Sequence, residues 1–234
     1  MKRLGIIVDA IAALRHMGGG NFPDPVHAIA MIEMAGADSI VYTVQGAAAS
    51  KEPRDVKILK DCIHSHFNLR IVPTQEMIQL AVNARAEMVT LIGREETGTK
   101  SLAVAQNESA LIPLVQSLRA NGIVVNALVE PDAVQIKSAV KIGCDYVELN
   151  AEKYVRADSL TLMEQELENI KAIAMAAVKL NLGVMASGNL DYTNVRDLLK
   201  IDEIEEINVG HPVVSRALFV GLDQAVRDFI AIVK

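Results

Sequence analysis

The sequence predicts an α/β fold in which eight parallel strands close into a (β/α)8 barrel, a TIM barrel spanning residues 1–234 as a single domain, with room for extra short helices. Three observations predict it. Short β-branched apolar runs alternate with amphipathic stretches along the whole chain, and such alternation implies parallel strands whose faces are covered by crossover helices. The alternation repeats about eight times, in a length at which one barrel forms one domain. The last two strand ends, Ala186-Ser187-Gly188-Asn189 and Val209-Gly210-His211, carry small residues where such a barrel places its phosphate site. A doubly wound open sheet is the alternative, because strand order is not written in one sequence.

The first strand is Leu4 to Asp9, too short for a helix and apolar enough to be buried on both faces. A glycine-rich loop, Gly18-Gly19-Gly20, leads to Asp24-Pro25, an N-cap and first helical residue whose helix stops at Gly36. Asp38 to Val44 is the second strand, and Pro53-Arg54-Asp55 opens a helix that reaches about His64. A third strand, Asn68 to Val72, precedes a helix from Gln75 to Asn83, and Glu87 to Ile92 is the fourth strand. Gly93 to about Asn107 is the longest loop, with the length and Gly/Thr content of a lid. Helix Glu108 to Asn121, strand Ile123 to Val129 and helix Asp132 to Ile142, stopped by Gly143, come next. Strand six is Asp145 to Leu149, with a long helix from about Ser159 to Asn181. Strand seven ends at Ser187, a short helix runs from about Tyr192 to Lys200, strand eight ends at Val209, and a final helix runs to the C-terminus.

Composition narrows the partners. A net charge of -6 with no basic run argues against nucleic acid, while leaving small anions that are held locally. Cys62 and Cys144 sit in apolar contexts and read as free thiols of a reducing compartment. The apolar run after Met1-Lys2-Arg3 is broken by Asp9 and Arg15, so it is not a signal peptide, and no stretch approaches a membrane span. A cytoplasmic protein without membrane contact is expected.

In a barrel the chemistry collects at the C-terminal strand ends, which here offer Asp9, Thr43 with Gln45, Arg70, Arg94 with Glu95, Glu130, Glu148 with Asn150, Ser187 with Asn189, and His211. Asp9 and Glu148 have two open readings. They pair with Arg70 across the mouth as a structural ion pair, or one of them is a general base with a pKa adjusted by its neighbours. His211 either caps a helix or contacts a ligand, and its place at the anion-binding turn favours the ligand. His16, His27, His64 and His66 lack Cys or Glu at ligand spacing, and no P-loop or dinucleotide fingerprint is present, so neither metal nor cofactor is expected. Glu148, Asp9 and His211 are therefore the candidate catalytic residues. Ser187, Gly188, Asn189, Gly210, His211, Arg70 and Thr43 are the candidate residues for a phosphorylated small molecule, with Arg70 as the clamp on a second anionic group.

Several longer stretches are more specific: Asp9-Ala10-Ile11-Ala12-Ala13-Leu14-Arg15, Pro23-Asp24-Pro25, Glu33-Met34-Ala35-Gly36-Ala37-Asp38, Arg54-Asp55-Val56-Lys57-Ile58-Leu59, and Asn208-Val209-Gly210-His211 with Arg216-Ala217. On these the chain resembles the pyridoxine 5'-phosphate synthases of vitamin B6 biosynthesis, from Gly5 to about Ala225. The resemblance implies a (β/α)8 barrel with additional helices, a homo-oligomer (an octamer in the family), and a reaction. That reaction condenses 1-deoxy-D-xylulose 5-phosphate with 3-amino-2-oxopropyl phosphate into pyridoxine 5'-phosphate, using glutamate and histidine for proton transfers and arginines for phosphates.

The same resemblance marks departures. The family's first-strand Asn-x-Asp-His reads Ile7-Val8-Asp9-Ala10, and a loop arginine is matched by Gly18. The second-strand histidine and arginine align with Thr43 and Gln45, a later histidine with Ser50, the catalytic glutamate of the third strand with Arg70, and Gly-His-Gly with Ser187-Gly188-Asn189. Asp9, Glu148, Gly210 and His211 are kept. Losing one acid–base group typically costs about 10²–10⁴ in rate, so these replacements speak against the full ring-closing reaction. The expectation is a divergent enzyme on a phosphorylated molecule; the alternative is a non-catalytic paralogue that binds a ligand or serves as an assembly partner.

Overall fold

A computed structural model describes residues 1–44, 52–94 and 100–234, with the backbone alone for 52–54. Strands β1 (Arg3–Ile7), β2 (Ser39–Thr43), β3 (His66–Ile71), β4 (Met88–Leu91), β5 (Val124–Val129), β6 (Tyr146–Asn150), β7 (Gly183–Ser187) and β8 (Glu206–Val209) each pair in parallel with the next. β8 also pairs with β1, Leu4 opposite Ile207 and Ile6 opposite Val209, which closes the barrel. The open-sheet alternative is thereby excluded.

Helices α1 (Asp9–Met17), α2 (Pro25–Ala35), α3 (Glu52–Cys62), α4 (Gln75–Ala84), α5 (Val104–Ala120) and α6 (Ala133–Ile142) cover the first part of the barrel. α7 (Glu152–Val155), α8 (Leu160–Lys179), α9 (Val195–Leu198), α10 (His211–Val220) and α11 (Leu222–Val233) complete it. Local chemistry sets several boundaries. Asp24 accepts a hydrogen bond from Val26 N–H at 3.0 Å with Pro25 at the first helical position, and Asp132 caps α6 through Val134 N–H at 2.6 Å. Gly36 and Gly143, with φ of 105° and 92°, end their helices in the left-handed conformation that a side chain disfavours.

The strands have two unlike faces. Outward residues such as Ile40, Tyr42, Phe67, Leu69, Val125, Val147 and Ile207 join the helices in one apolar core, where a fully buried side chain of this size contributes about 1.5–3 kcal/mol. The barrel interior is polar. Thr90 Oγ1 donates to Asn68 Oδ1 at 2.8 Å, Asn126 Nδ2 donates to Thr90 Oγ1 at 3.0 Å and to Glu148 Oε2 at 3.3 Å, and Glu148 pairs with Arg70.

Five elements differ from the sequence expectation. Asp9 does not end a strand; it is the first residue of α1, a helix continuous with the apolar run before it, and a carboxylate there is favoured by the helix dipole. α5 begins at Val104, with non-helical φ at Asn107, so the loop after β4 is shorter than expected. Of the expected lid, residues 95–99 lie outside the described residues. The short α7 follows β6 directly, and the helix before β8 is only the four residues of α9. The final helix is two, divided at Gly221, whose φ is 84°.

Candidate functional site

A cavity of about 620 Å³ opens at the C-terminal ends of the strands. Its wall brings together Asp9, Arg70, Ser187, Gly188, Asn189, Gly210 and His211 from the candidate set, and adds Asn150, Glu152, Arg156 and Asn208. A second depression of about 600 Å³, lined by Lys2, Arg3, Glu205 and Lys234 among others, lies at the opposite end, the face that barrels use for stability rather than chemistry.

Gly188 and Gly210 face this one cavity because β7 and β8 pair with Ala186 opposite Ile207. Gly188 (φ 108°) and Asn189 (φ 54°) both adopt left-handed backbone. A Cβ on Gly188 would meet Asn150 Oδ1 at 2.4 Å and the backbone nitrogens of Ala151 and Glu152 at 2.9 Å. The glycine is therefore needed for β7's loop to approach α7, which is a packing requirement as well as a feature of the wall. Gly210 caps α10 without a side-chain hydrogen bond, and His211 begins that helix, exposed, with Nε2 3.1 Å from Ser215 Oγ.

Asp9 Oδ1 accepts the Thr43 backbone N–H at 2.8 Å. Burial raises the Asp9 pKa, and the Thr43 backbone hydrogen bond and the charge of Arg70 offset only part of that rise. Arg70 is 3% exposed and forms an ion pair with Glu148, which is 0% exposed. The structure thus contains the ion pair of the first reading for Glu148, while Asp9 stands beside it on the cavity wall. Arg70 Nε and Thr43 Oγ1 are buried and find no hydrogen-bond partner among the described residues.

Two candidates are not on the wall. Thr43 is buried behind Asp9 and Glu148 behind Arg70. Gln45, Ser50 and Glu95 lie outside the described residues. Sequence reasoning passed over Glu152 and Arg156, an i,i+4 ion pair at 2.7 Å between the first residue of α7 and its C-cap. Their signal was the charge pair at helical spacing just beyond the sixth strand. Among the described residues no group of three or more His, Cys, Asp or Glu is placed to hold a metal ion. No helix there is long and apolar enough to cross a membrane.

Comparison with known proteins bears on fold and family. The barrel is similar to phosphoribosylanthranilate isomerase from Thermotoga maritima, with a TM-score of 0.63 at 14% identity over 100% of this chain and 98% of that one. It is similar also to KGPDC from Streptococcus mutans, with a TM-score of 0.66 at 11% identity over 100% and 97%. At such identities the likeness concerns the fold. In sequence the chain is 40% identical over 237 residues to a pyridoxine 5'-phosphate synthase from Geobacter sp. (strain M21), covering 100% of this chain and 99% of that one. It is 38% identical to the enzyme of that name from Geobacter sulfurreducens and 39% to that from Syntrophobacter fumaroxidans, with coverage of 100% and 99% in both cases. Residues 4–234 match the family described as "Pyridoxal phosphate biosynthesis protein PdxJ", and the chain belongs to that family.

Proposed function

We propose that this chain binds a phosphorylated small molecule in the barrel mouth, with Gly188, Asn189, Gly210 and His211 around the phosphate and Arg70 toward a second anionic group. The observation that carries the reading is the shared cavity of the β7 loop and the β8–α10 turn, with a buried arginine on its wall whose Nε is unpartnered among the described residues. Gly210 leaves the start of α10 without a side-chain cap, and an anion is favoured at such a helix start. Ser187 contributes from the end of β7. Thr43 and Glu148 act on the ligand only through Asp9 and Arg70, which they hold.

The relatives' name implies ring closure to pyridoxine 5'-phosphate, and this chain is a divergent member for that chemistry. Of the groups on the wall, Asp9 is suited to take or give a proton, because its raised pKa brings it nearer to neutrality. His211 is a second candidate by position, and Glu148 is engaged with Arg70. A second reading is a non-catalytic paralogue that assembles with copies of itself or of an active homologue in the cytoplasm. It draws on Leu218 and Phe219, which stand exposed near the C-terminal end of α10.

Thermal shift tests the binding reading. Pyridoxine 5'-phosphate or 1-deoxy-D-xylulose 5-phosphate at 100 times Kd is expected to raise Tm by about 5–10 °C, and unphosphorylated pyridoxine to leave it unchanged. No response to any phosphorylated compound overturns the reading. Incubation with both family substrates is expected to yield no pyridoxine 5'-phosphate at rates comparable with the relatives, and efficient synthesis would overturn the divergence.

A further inference from the structure

We propose that Asn150 is a positioning residue that fixes the α7 wall of the cavity, and with it the Glu152–Arg156 pair facing the ligand. Its consequence for binding rests on the reading above; its geometry does not.

Asn150 lies at the end of β6 and uses both ends of its amide. Nδ2 donates to Ser101 Oγ at 3.0 Å and to Glu130 Oε1 at 3.1 Å, while Oδ1 accepts the Glu152 backbone N–H at 3.1 Å. Ser101 Oγ donates to Glu130 Oε1 at 2.7 Å, and Lys153 Nζ lies 3.0 Å from Glu130 Oε2. On the far side, Asn189 Nδ2 donates to Glu152 Oε1 at 3.3 Å, the oxygen that also receives Arg156 at 2.7 Å. One chain of hydrogen bonds thus ties together the segments after β4, β5, β6 and β7, with Asn150 at its centre.

Ser101 beside Glu130 has the outline of a nucleophile and its base, and two observations turn the cluster toward positioning instead. Burial works to raise the Glu130 pKa, yet the hydrogen bonds from Ser101, Lys153 and Asn150 together hold it below the ordinary value, which makes a poor base. Ser101 is absent from the cavity wall, whereas Asn150, Glu152, Arg156 and Asn189 are all on it. The amide supplies a donor toward Glu130 and an acceptor toward Glu152 from one planar group. An aspartate there would set a second carboxylate against Glu130.

The test combines hydrogen exchange with calorimetry on the whole chain, using pyridoxine 5'-phosphate and inorganic phosphate as probes. In Asn150→Ala the amides of Glu152 to Arg156 are expected to exchange about tenfold faster, with β6 and β7 unchanged. Affinity for pyridoxine 5'-phosphate is expected to fall about tenfold and that for inorganic phosphate by less than about twofold, since the start of α10 does not depend on this wall. Asn150→Ser, which keeps an acceptor for Glu152 N–H, is expected to fall between wild type and alanine, and it carries the test should the alanine variant fail to fold. Unchanged exchange across α7 overturns the proposal whatever the ligands do, as does an equal loss of both affinities. Wild-type protein that binds neither probe refutes the binding reading instead, and the exchange arm still decides the role of Asn150.

Discussion

Glutamate and arginine meet at both ends of the barrel interior, and the two meetings are built differently. At the mouth, Glu148 and Arg70 are sealed together at 0% and 3% exposure, and Arg70 Nε is unpartnered among the described residues. At the base, Glu206 is 2% exposed but receives Ser39 Oγ at 2.8 Å and Arg3 Nε at 3.0 Å, and Arg3 is 47% exposed. The base pair completes its hydrogen bonds with one partner reaching water. The mouth pair keeps its cation dry and incompletely bonded next to an open cavity, an arrangement that costs stability and suits a ligand.

The sharpest way to break this contrast is Glu148→Gln. Removing the charge leaves Arg70 buried and uncompensated, so a loss of about 3–5 kcal/mol is expected, with Tm lower by roughly 10 °C. Urea denaturation checks it, and the double variant Arg70→Met with Glu148→Leu is expected to recover most of the loss. If the single variant is as stable as wild type, the guanidinium has access to water and the mouth is no drier than the base.

Next in size is Gly188→Ala, which probes the wall rather than the floor. The new Cβ would sit 2.4 Å from Asn150 Oδ1 on a residue with φ of 108°, and a cost of about 1–3 kcal/mol is expected in the same denaturation measurement. A neutral effect would mean that the β7 loop and α7 are free to move apart.

How much of this was legible in the chain depends on the link concerned. The parallel barrel was readable because continuous apolar runs such as Ile40-Val41-Tyr42 require helices on the outer face, and caps such as Asp24-Pro25 mark helix starts by local hydrogen bonding. α1 was hidden because its apolar residues continue those of β1 without a breaker, and that displaced Asp9 from strand end to helix start. The polar interior was present as alternation in His66-Phe67-Asn68-Leu69-Arg70-Ile71, whose polar members point inward. Which of those residues meet which was not, since Arg70 and Glu148 are joined by barrel closure, not by spacing. The same holds for the clamp on Asn150, whose partners Ser101 and Glu130 come from other loops.

A smaller effect separates Asp9 from its neighbours. Its folded pKa is raised, so between the ordinary carboxylate value and the raised one the native state holds more protons than the unfolded state. Stability therefore falls as pH rises through that window and stays reduced above it. Asp9→Asn keeps an acceptor for Thr43 N–H and removes the charge, so a gain of about 1 kcal/mol at neutral pH is expected, along with a flatter Tm against pH. Loss of stability on this change would mean that the ionised form, paired with Arg70, is the native one.

The smallest effect is expected at the base, where Glu206→Gln completes the comparison. Glu206 also has a raised pKa, chiefly from burial, with Ser39 and Arg3 opposing the rise and the charge of Glu148 adding to it. Its stability contribution has the same sign as that of Asp9, diminishing as pH rises through the window above the ordinary carboxylate value. A glutamine still accepts from Ser39, and Arg3 keeps its solvation at the surface, so the unfolding free energy at neutral pH is expected to change by less than about 1 kcal/mol in urea denaturation. Because the charge of Glu148 acts on Glu206 in the same interior, Glu206→Gln is expected to be non-additive with Glu148→Gln, costing more in that background, where no repulsion is left to relieve, than in wild type. Strict additivity would mean that the two carboxylates do not sense one another, and that base and mouth are independent sites within one barrel.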